Sequence, residues 1–240
     1  MRLPLQIGSL GVCGLLVLFG ATGTVGAKDD VGAKDDKAPF PNMAPVAQYR
    51  MASRSEEIAL ARSAAPASIS DDAEIMILGD RGYETAVKGK NGFVCLVERS
   101  WFAAFDDPQF WNPGIRGPDC LNHAAASTVL PANLERTQWV LAGSSKGQML
   151  ARTKSSAAAR QTPAQGAIGY MLSKQQHLGD GTHWHPHLML FQPHTEAAAW
   201  GADLPGSPIF ASEGGPDEAT IFFVPVSKWS DGSSASAEIR

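Results

Sequence analysis

The residues whose spacing points most directly to chemistry are three histidines at alternate positions, His183, His185 and His187. In a β-strand, side chains two residues apart project from the same face. The three imidazoles would then form a row that Met189 continues, and the opposite face of the strand would pack on the core. Imidazole and thioether groups are ligands for zinc and copper. The spacing therefore predicts a metal site at these histidines, with zinc or copper as the candidate ion.

Strand geometry limits how many of these histidines can bind one ion. Same-face neighbours are about 6.7 Å apart, whereas a zinc–nitrogen bond is about 2.1 Å long. Two neighbouring histidines can share an ion, and all three can do so only if the strand bends, for which Pro186 is suited. Other candidates for a third ligand are His177, His194, Asp180, Glu196 and Glu98. The alternative is a histidine row that lines a polar groove or faces solvent without a metal.

A second pattern, Gly143-Ser144-Ser145-Lys146-Gly147, matches the Gly-x-Ser-x-Gly turn of serine hydrolases. That turn needs a strand before it and a helix after it, and residues 137–142 have β-forming composition. Asp180 with His183 or His194 could complete a triad, which makes Ser145 a candidate nucleophile. The alternative is a break between two helices, marked by glycine. Three functions therefore remain open: an exported protein that binds a metal or small ligand without catalysis, a metal-dependent enzyme at the same histidines, and a serine hydrolase.

Two of the three cysteines, Cys95 and Cys120, lie in the globular part of the chain, and Cys13 lies in an apolar N-terminal segment. An even pair of cysteines in an oxidising compartment normally forms a disulfide. We therefore predict a Cys95–Cys120 bridge. The alternative is a reactive thiol or a metal ligand.

The elements that must position these residues indicate an α+β fold, with an antiparallel sheet built from an N-terminal meander and C-terminal strands around a central helical segment. Ser53 and Glu56 have the spacing of a capping box, and Pro66 ends the helix that they begin. Residues 134–160 have helical composition, with a break near Gly143 and Gly147. Residues 101–120 are rich in aromatic residues, proline and glycine, which predicts a long irregular loop. The predicted strands are 73–78, 83–87, 93–98, 167–173, 183–191, 209–211 and 220–226.

The N-terminus has the layout of a secretory signal peptide, with Arg2, then an uncharged apolar segment, then small residues ending at Ala27. The hexapeptide VGAKDD occurs twice in succession, so cleavage could follow Ala27 or Ala33. A retained membrane anchor is the alternative, although acidic residues follow the apolar segment. The predicted organisation is a signal peptide at 1–27, a flexible linker at 28–50, one α+β domain at 51–229 and a polar tail at 230–240.

The net charge of the chain limits the classes of partner that it can bind. The formal net charge is −4, and cleavage would remove Arg2 but no acidic residue. Nucleic acids and anionic lipids require basic surfaces. We therefore expect no nucleic-acid partner and no stable membrane insertion after cleavage, and a periplasmic or secreted location. A metal ion or small molecule remains the expected ligand.

Three stretches carry a resemblance: Gly92-Phe-Val-Cys-Leu-Val-Glu-Arg-Ser-Trp101, Phe110-Trp-Asn-Pro113 and His183-Trp-His-Pro-His-Leu-Met189. In these stretches the chain resembles uncharacterised exported bacterial proteins, and the similarity extends over most of the chain after residue 50. The resemblance implies export and implies no particular activity.

Overall fold

The computed structural model describes residues 39–156, 161–180, 182–213 and 219–235. The predicted signal peptide, residues 28–38 of the predicted linker and residues 236–240 of the predicted tail therefore lie outside the described residues. The helices are α1 (Arg54–Arg62), α2 (Ala67–Ser70), α3 (His123–Thr128), α4 (Leu130–Leu141) and α5 (Lys146–Ser156). The strands are β1 (Glu74–Gly79), β2 (Gly82–Val87), β3 (Val94–Glu98), β4 (Ile115–Leu121), β5 (Ile168–Met171), β6 (His177–Leu178), β7 (His187–Gln192), β8 (Phe210–Glu213) and β9 (Thr220–Pro225). Short 3-10 helices cover Val46–Tyr49, Ser100–Phe102 and Ala197–Trp200.

The nine strands found among these residues form one mixed sheet in the order β2-β1-β3-β4-β5-β7-β9-β8, with β6 paired to β4 beside this path. Every pairing is antiparallel except that of β1 with β3. The α+β class with a largely antiparallel sheet is therefore confirmed.

The N-terminal strands do not form the expected meander. β1 and β2 make a hairpin with Gly79 opposite Gly82, but β3 then lies on the other side of β1 and runs parallel to it. Burial explains why β3 lies inside the sheet and β2 at its edge, because the middle of β3 is completely buried whereas β2 exposes polar residues. The apolar strand takes the central position and the polar strand becomes the edge.

The loop between β2 and β3 must cross the start of β1, and a glycine makes this possible. A Cβ at Gly89 would lie 2.2 Å from the backbone nitrogen of Glu74. The crossing is held by backbone hydrogen bonds from Lys90 N to Asp72 O (2.7 Å) and from Glu74 N to Phe93 O (2.8 Å). Gly89 thus serves a close backbone approach.

The last six residues of the predicted loop at 101–120 belong to a strand, β4. Its Gly-Pro pair at residues 117 and 118 is typical of a turn. Pro118 nevertheless lies within the strand, at the point where the strand paired with β4 on one side changes from β6 to β5. Residues Ile115 and Arg116 pair with β6, and Cys120 pairs with β5. Proline is tolerated at such a gap in the hydrogen-bonding ladder.

The Cys95–Cys120 disulfide is confirmed. The two residues lie directly opposite each other on β3 and β4, with 3.9 Å between their Cα atoms, and both are completely buried. The bridge thus joins two central strands, although the sequence placed Cys120 at the end of a loop.

Helices cover both faces of the sheet. On one face, which we call the α1 face, Leu60 and Ala61 of α1 pack against Ile75, Val97 and Cys120. The other face, which we call the α4 face, is covered by α3 and α4. Buried residues of these two helices and of strands β3, β4, β5 and β7 form a second cluster there. That cluster includes Ala125, Leu130, Leu96, Leu121, Met171, Met189 and Phe191. A sheet buried on both faces has no clean alternation of polar and apolar residues.

The predicted capping of α1 is confirmed, since the Ser53 side chain accepts a hydrogen bond from the backbone nitrogen of Glu56 at 3.2 Å. One turn later Glu57 is buried and accepts from Arg99 at 2.7 Å and from the backbone nitrogen of Leu78 at 3.0 Å. This buried ion pair ties α1 to the ends of β1 and β3.

The described part of the predicted linker packs against the domain. Tyr49 is completely buried, its hydroxyl donates to the carbonyl of Trp111 at 2.8 Å, and its carbonyl accepts from Arg99 at 2.6 Å. Phe40 and Met43 contact the same aromatic cluster. The structured domain therefore begins at least ten residues before the predicted boundary, with Phe40. Within the described residues, no helix combines the length and the apolar character needed to cross a membrane.

Candidate functional site

The histidine segment lies at one end of the sheet, where β5 and β9 end and β7 begins. His187, the first residue of β7, lies opposite Met171 at the end of β5 and opposite Pro225 at the end of β9. Glu98, the last residue of β3, and Gly117 of β4 form a pair at the same end. The loop between β6 and β7 carries His183, His185 and Asp180.

The strand that was predicted to begin at His183 begins at His187, so the residues before it are not in a strand. The predicted orientation is also wrong for β7. His187, Met189 and Phe191 are buried, and the last two belong to the cluster on the α4 face. Leu190 packs on the opposite face beside Phe222, under the 3-10 helix Ala197–Trp200. Both faces of β7 are covered, so hydrophobicity alone did not distinguish them.

His187 is a core residue. Its side chain is 7% exposed, and its ring lies 5.6 Å from that of Phe223, measured between centroids. Nδ1 lies 2.7 Å from the carbonyl oxygen of His185, and a carbonyl only accepts, so Nδ1 carries the hydrogen. Burial lowers the pKa of His187, which keeps the ring neutral.

His183 and His185 both lie near one aromatic side chain. Their ring centroids are 5.5 and 6.3 Å from the same partner, the indole of Trp229, which is itself buried. His183 is exposed and His185 is half-buried. Both rings therefore contact one indole, but they do so from a loop and not from the expected strand face.

A backbone carbonyl orients the ring of His185. Its Nε2 lies 3.0 Å from the carbonyl oxygen of Val226 and must carry the hydrogen of that hydrogen bond. Nδ1 of the neutral ring therefore keeps a free lone pair. Metal-binding histidines commonly have this arrangement, in which one nitrogen donates to a carbonyl and the other binds the ion.

The segment around these histidines is held by hydrogen bonds to its backbone. The side-chain nitrogen of Gln176, a buried residue, donates to the carbonyl of Trp184. The backbone nitrogen of Val226 donates to the carbonyl of Pro186 at 2.9 Å. The segment is thus fixed on both sides of His185, so its ring is held in place without a regular strand.

The proposed third ligands do not complete a metal site. His177 Nδ1 accepts from the backbone nitrogen of Gly179 at 2.8 Å, and Asp180 accepts from the nitrogen and hydroxyl of Thr182. Throughout the described ranges, no group of three or more His, Cys, Asp or Glu residues is arranged to hold an ion. Of the three predicted histidines, the structure places His183 and His185 against the indole of Trp229 and His187 in the core.

Ser145 does not lie on a nucleophile elbow. The expected strand at 137–142 is helical for nearly all its length, because α4 extends to Leu141, and a turn with Gly143 at φ +79° follows. Ser145 precedes α5, where its hydroxyl accepts from Gln148 N at 3.2 Å and its own nitrogen donates to the Gln148 side chain at 2.9 Å. This reciprocal pair is a capping box. The alternative, a break between two helices, is confirmed.

Asp119 is a chemically unusual residue that the sequence did not reveal. It is completely buried in the sheet, and neither carboxylate oxygen has a hydrogen-bond partner within the described structure. Burial raises its pKa to about 8. The Gly-Pro pair before it indicated a loop, in which an aspartate would face water. Recognition of β4 would have placed its side chain on the same face as that of Leu121.

Comparison of the chain with protein-family models, with curated proteins and with solved structures finds no match in any of the three.

Proposed function

We propose that this is an exported protein that binds a divalent transition-metal ion through the imidazoles of His183 and His185. The observation that carries the proposal is the hydrogen bond from His185 Nε2 to the Val226 carbonyl, because it leaves Nδ1 of an oriented, half-buried ring free to bind an ion. His183, on the same indole, is exposed and supplies the second imidazole.

The buried His187 is not part of the proposed site. Its Nδ1 is used by the carbonyl of His185, and its ring packs against Phe223 in the core. Two imidazoles leave coordination positions open to water or to a ligand carried by the ion. Imidazole suits zinc, copper and nickel. We therefore expect binding that is weaker than at a closed structural zinc site.

Export is supported by two independent features. The N-terminal sequence has the layout of a signal peptide. The Cys95–Cys120 bridge is typical of proteins that fold in an oxidising compartment. The same features are what the resemblance to exported bacterial proteins implies, and we keep that relationship as part of the proposal.

The test is isothermal titration of Zn²⁺ and of Cu²⁺ into the mature, disulfide-bonded protein. His185→Ala should abolish binding, and His183→Ala should weaken it by about tenfold or more. His187→Ala should destabilise the fold but leave the affinity unchanged. His194→Ala, at an exposed histidine, is the matched control. Equal affinity in wild type and His185→Ala would overturn the proposal.

Fluorescence provides a second measurement. Because the indole of Trp229 contacts both rings, bound Cu²⁺ should quench part of the tryptophan emission of the wild type. Trp229→Phe should lose that part of the quenching while the ion still binds in the calorimeter. Undiminished quenching in Trp229→Phe would place the copper elsewhere.

A further inference from the structure

Glu98 and Asp119 lie close together on the α4 face of the sheet. Asp119 is opposite Leu96, and Glu98 is opposite Gly117, so the two acids are diagonal neighbours on adjacent antiparallel strands. Directly paired residues and their diagonal neighbours project from the same face, and Cα atoms of a diagonal pair are about 7–8 Å apart. Long side chains can meet across that distance.

The surroundings of Asp119 are apolar. Its carboxylate occupies the space over Gly169, where a Cβ would lie 2.7 Å from Oδ1 and 3.0 Å from the terminal methyl of Met189. Leu96, Leu121 and Met171 belong to the same buried cluster. Because neither oxygen has a hydrogen-bond partner in the described residues, an ionised Asp119 would be an uncompensated buried charge.

The titratable groups that face Asp119 do not neutralise the negative charge of its ionised carboxylate. β3 contributes Glu98, a second acid, and β7 contributes His187, whose ring is neutral because burial lowers its pKa. β5 contributes Gly169 and Met171, and the neighbouring residues of α3 and α4 in the cluster are Ala125 and Leu130. On β2, Tyr83 lies near Glu98 and stays protonated, because burial raises its pKa.

We propose that Glu98 and Asp119 form a proton-binding site inside the sheet, which holds at least one proton at neutral pH and weakens the domain when that proton is lost. This goes beyond the proposed metal binding and does not depend on it. Asp119 is completely buried and Glu98 is half-buried. In the protonated form the pair carries at most one charge, whereas full ionisation places a second negative charge beside an uncompensated charge in an apolar cluster.

The pKa values agree with this geometry. Burial raises the pKa of Asp119 to about 8. The backbone amides of Cys120 and Tyr170 are near enough to oppose part of the rise, although neither has the geometry of a hydrogen bond to the carboxylate. Burial, and then the charge of Asp119, raise the pKa of Glu98 well above its usual range. The two titrations therefore belong to the pair rather than to either residue alone.

The sign of the effect on stability follows from proton linkage. An unfolded aspartate has a pKa of about 3.9, so between that value and about pH 8 the folded state binds a proton that the unfolded state does not. The free energy of unfolding should therefore fall as pH rises across this range. The pair therefore contributes more to stability in mildly acidic than in alkaline solution.

The experiment is a carbon-13 NMR titration of the Asp and Glu carboxyl carbons, with a chelator present so that metal binding cannot contribute. In the wild type, one carboxyl should titrate with a midpoint above neutral pH, and that signal should be absent in Asp119→Asn. Glu98→Gln should shift the midpoint of the remaining acid downward. Asp106→Asn, at an exposed acid, should leave it unchanged. Wild-type protein in which every carboxyl titrates below about pH 6 would overturn the proposal.

Urea unfolding between about pH 5 and about pH 9 supplies the second measurement. The midpoint urea concentration of the wild type should fall with rising pH, and that of Asp119→Asn should fall less and exceed the wild-type value at the alkaline end. Asp106→Asn should follow the wild type. An Asp119→Asn variant with the same pH dependence as the wild type would also overturn the proposal.

Discussion

The neutral rings of His185 and His187 carry their hydrogen on different nitrogens, because each ring donates a hydrogen bond to a different backbone carbonyl. His185 donates from Nε2 to Val226, and His187 donates from Nδ1 to His185. The alternating spacing of the histidines singled out His183 and His185, whose rings both lie near the indole of Trp229. It could not indicate which lone pair stays free, because Val226 is 41 residues away along the chain.

Gly169 is the residue that makes room for the buried acid, so its substitution is a direct test of the packing. In Gly169→Ala the new methyl would contact Asp119 Oδ1 and Met189 within 3.0 Å. We expect a loss of about 1–3 kcal/mol in the free energy of unfolding, measured by urea denaturation, because overpacking forces side chains or backbone to shift. Adding Asp119→Ala should recover part of that loss.

The matched control is Gly147→Ala. Gly147 lies in α5, and the nearest atom to a Cβ there, outside the helix's own backbone, would be the Ser145 hydroxyl oxygen at 4.0 Å. Alanine favours a helix over glycine by about 1 kcal/mol, so this variant should be at least as stable as the wild type. A Gly169→Ala variant as stable as Gly147→Ala would contradict the described packing around Asp119.

At the scale of elements, β4 shows how a strand can be hidden in a sequence. Gly117 and Pro118 are residues that usually break strands, and they stand in the middle of one. The interruption is accommodated because β6 and β5 pair with different parts of β4. The expectation of a disulfide was still confirmed, since it depended on cysteine number and compartment rather than on β4.

The disulfide gives an element-scale prediction. Its cysteines are separated by 25 residues, and loop-closure entropy for that length gives a stabilisation of about 3 kcal/mol. The double variant Cys95→Ala, Cys120→Ala should lose about this amount in urea denaturation. Wild type treated with a reductant should approach the same stability. Two free thiols titrating in unfolded, non-reduced wild type would contradict the bridge.

At the scale of the whole molecule, the N-terminal region makes a prediction about the mature chain. The repeated VGAKDD places the same small-residue signal before Lys28 and before Lys34. Protein recovered from the producing cells should therefore begin at one of these two lysines, because a signal peptidase reads the residues just before its cut. N-terminal sequencing is the measurement, and an intact Met1 or Arg2 would contradict export by cleavage.

The sequence by itself determined the features that depend on neighbouring residues or on composition. The Ser53 cap and the helices on either side of Gly143 were predictable because capping and glycine conformation depend on neighbouring residues. The disulfide pair was predictable from the number of cysteines and the expected oxidising compartment. The α+β class was predictable from the order of the predicted elements. Most strands were placed within a few residues, since short β-forming segments between turns are a local signal.

Only the tertiary structure decided which strands pair and which side chains are thereby buried. The parallel position of β3 beside β1, the strand around Pro118 and the two covered faces of β7 arise from contacts between distant segments. Asp119 is the clearest case. Its residue type predicts exposure, but its position on β4 places it in the core, because the neighbouring strands and helices leave no path to water.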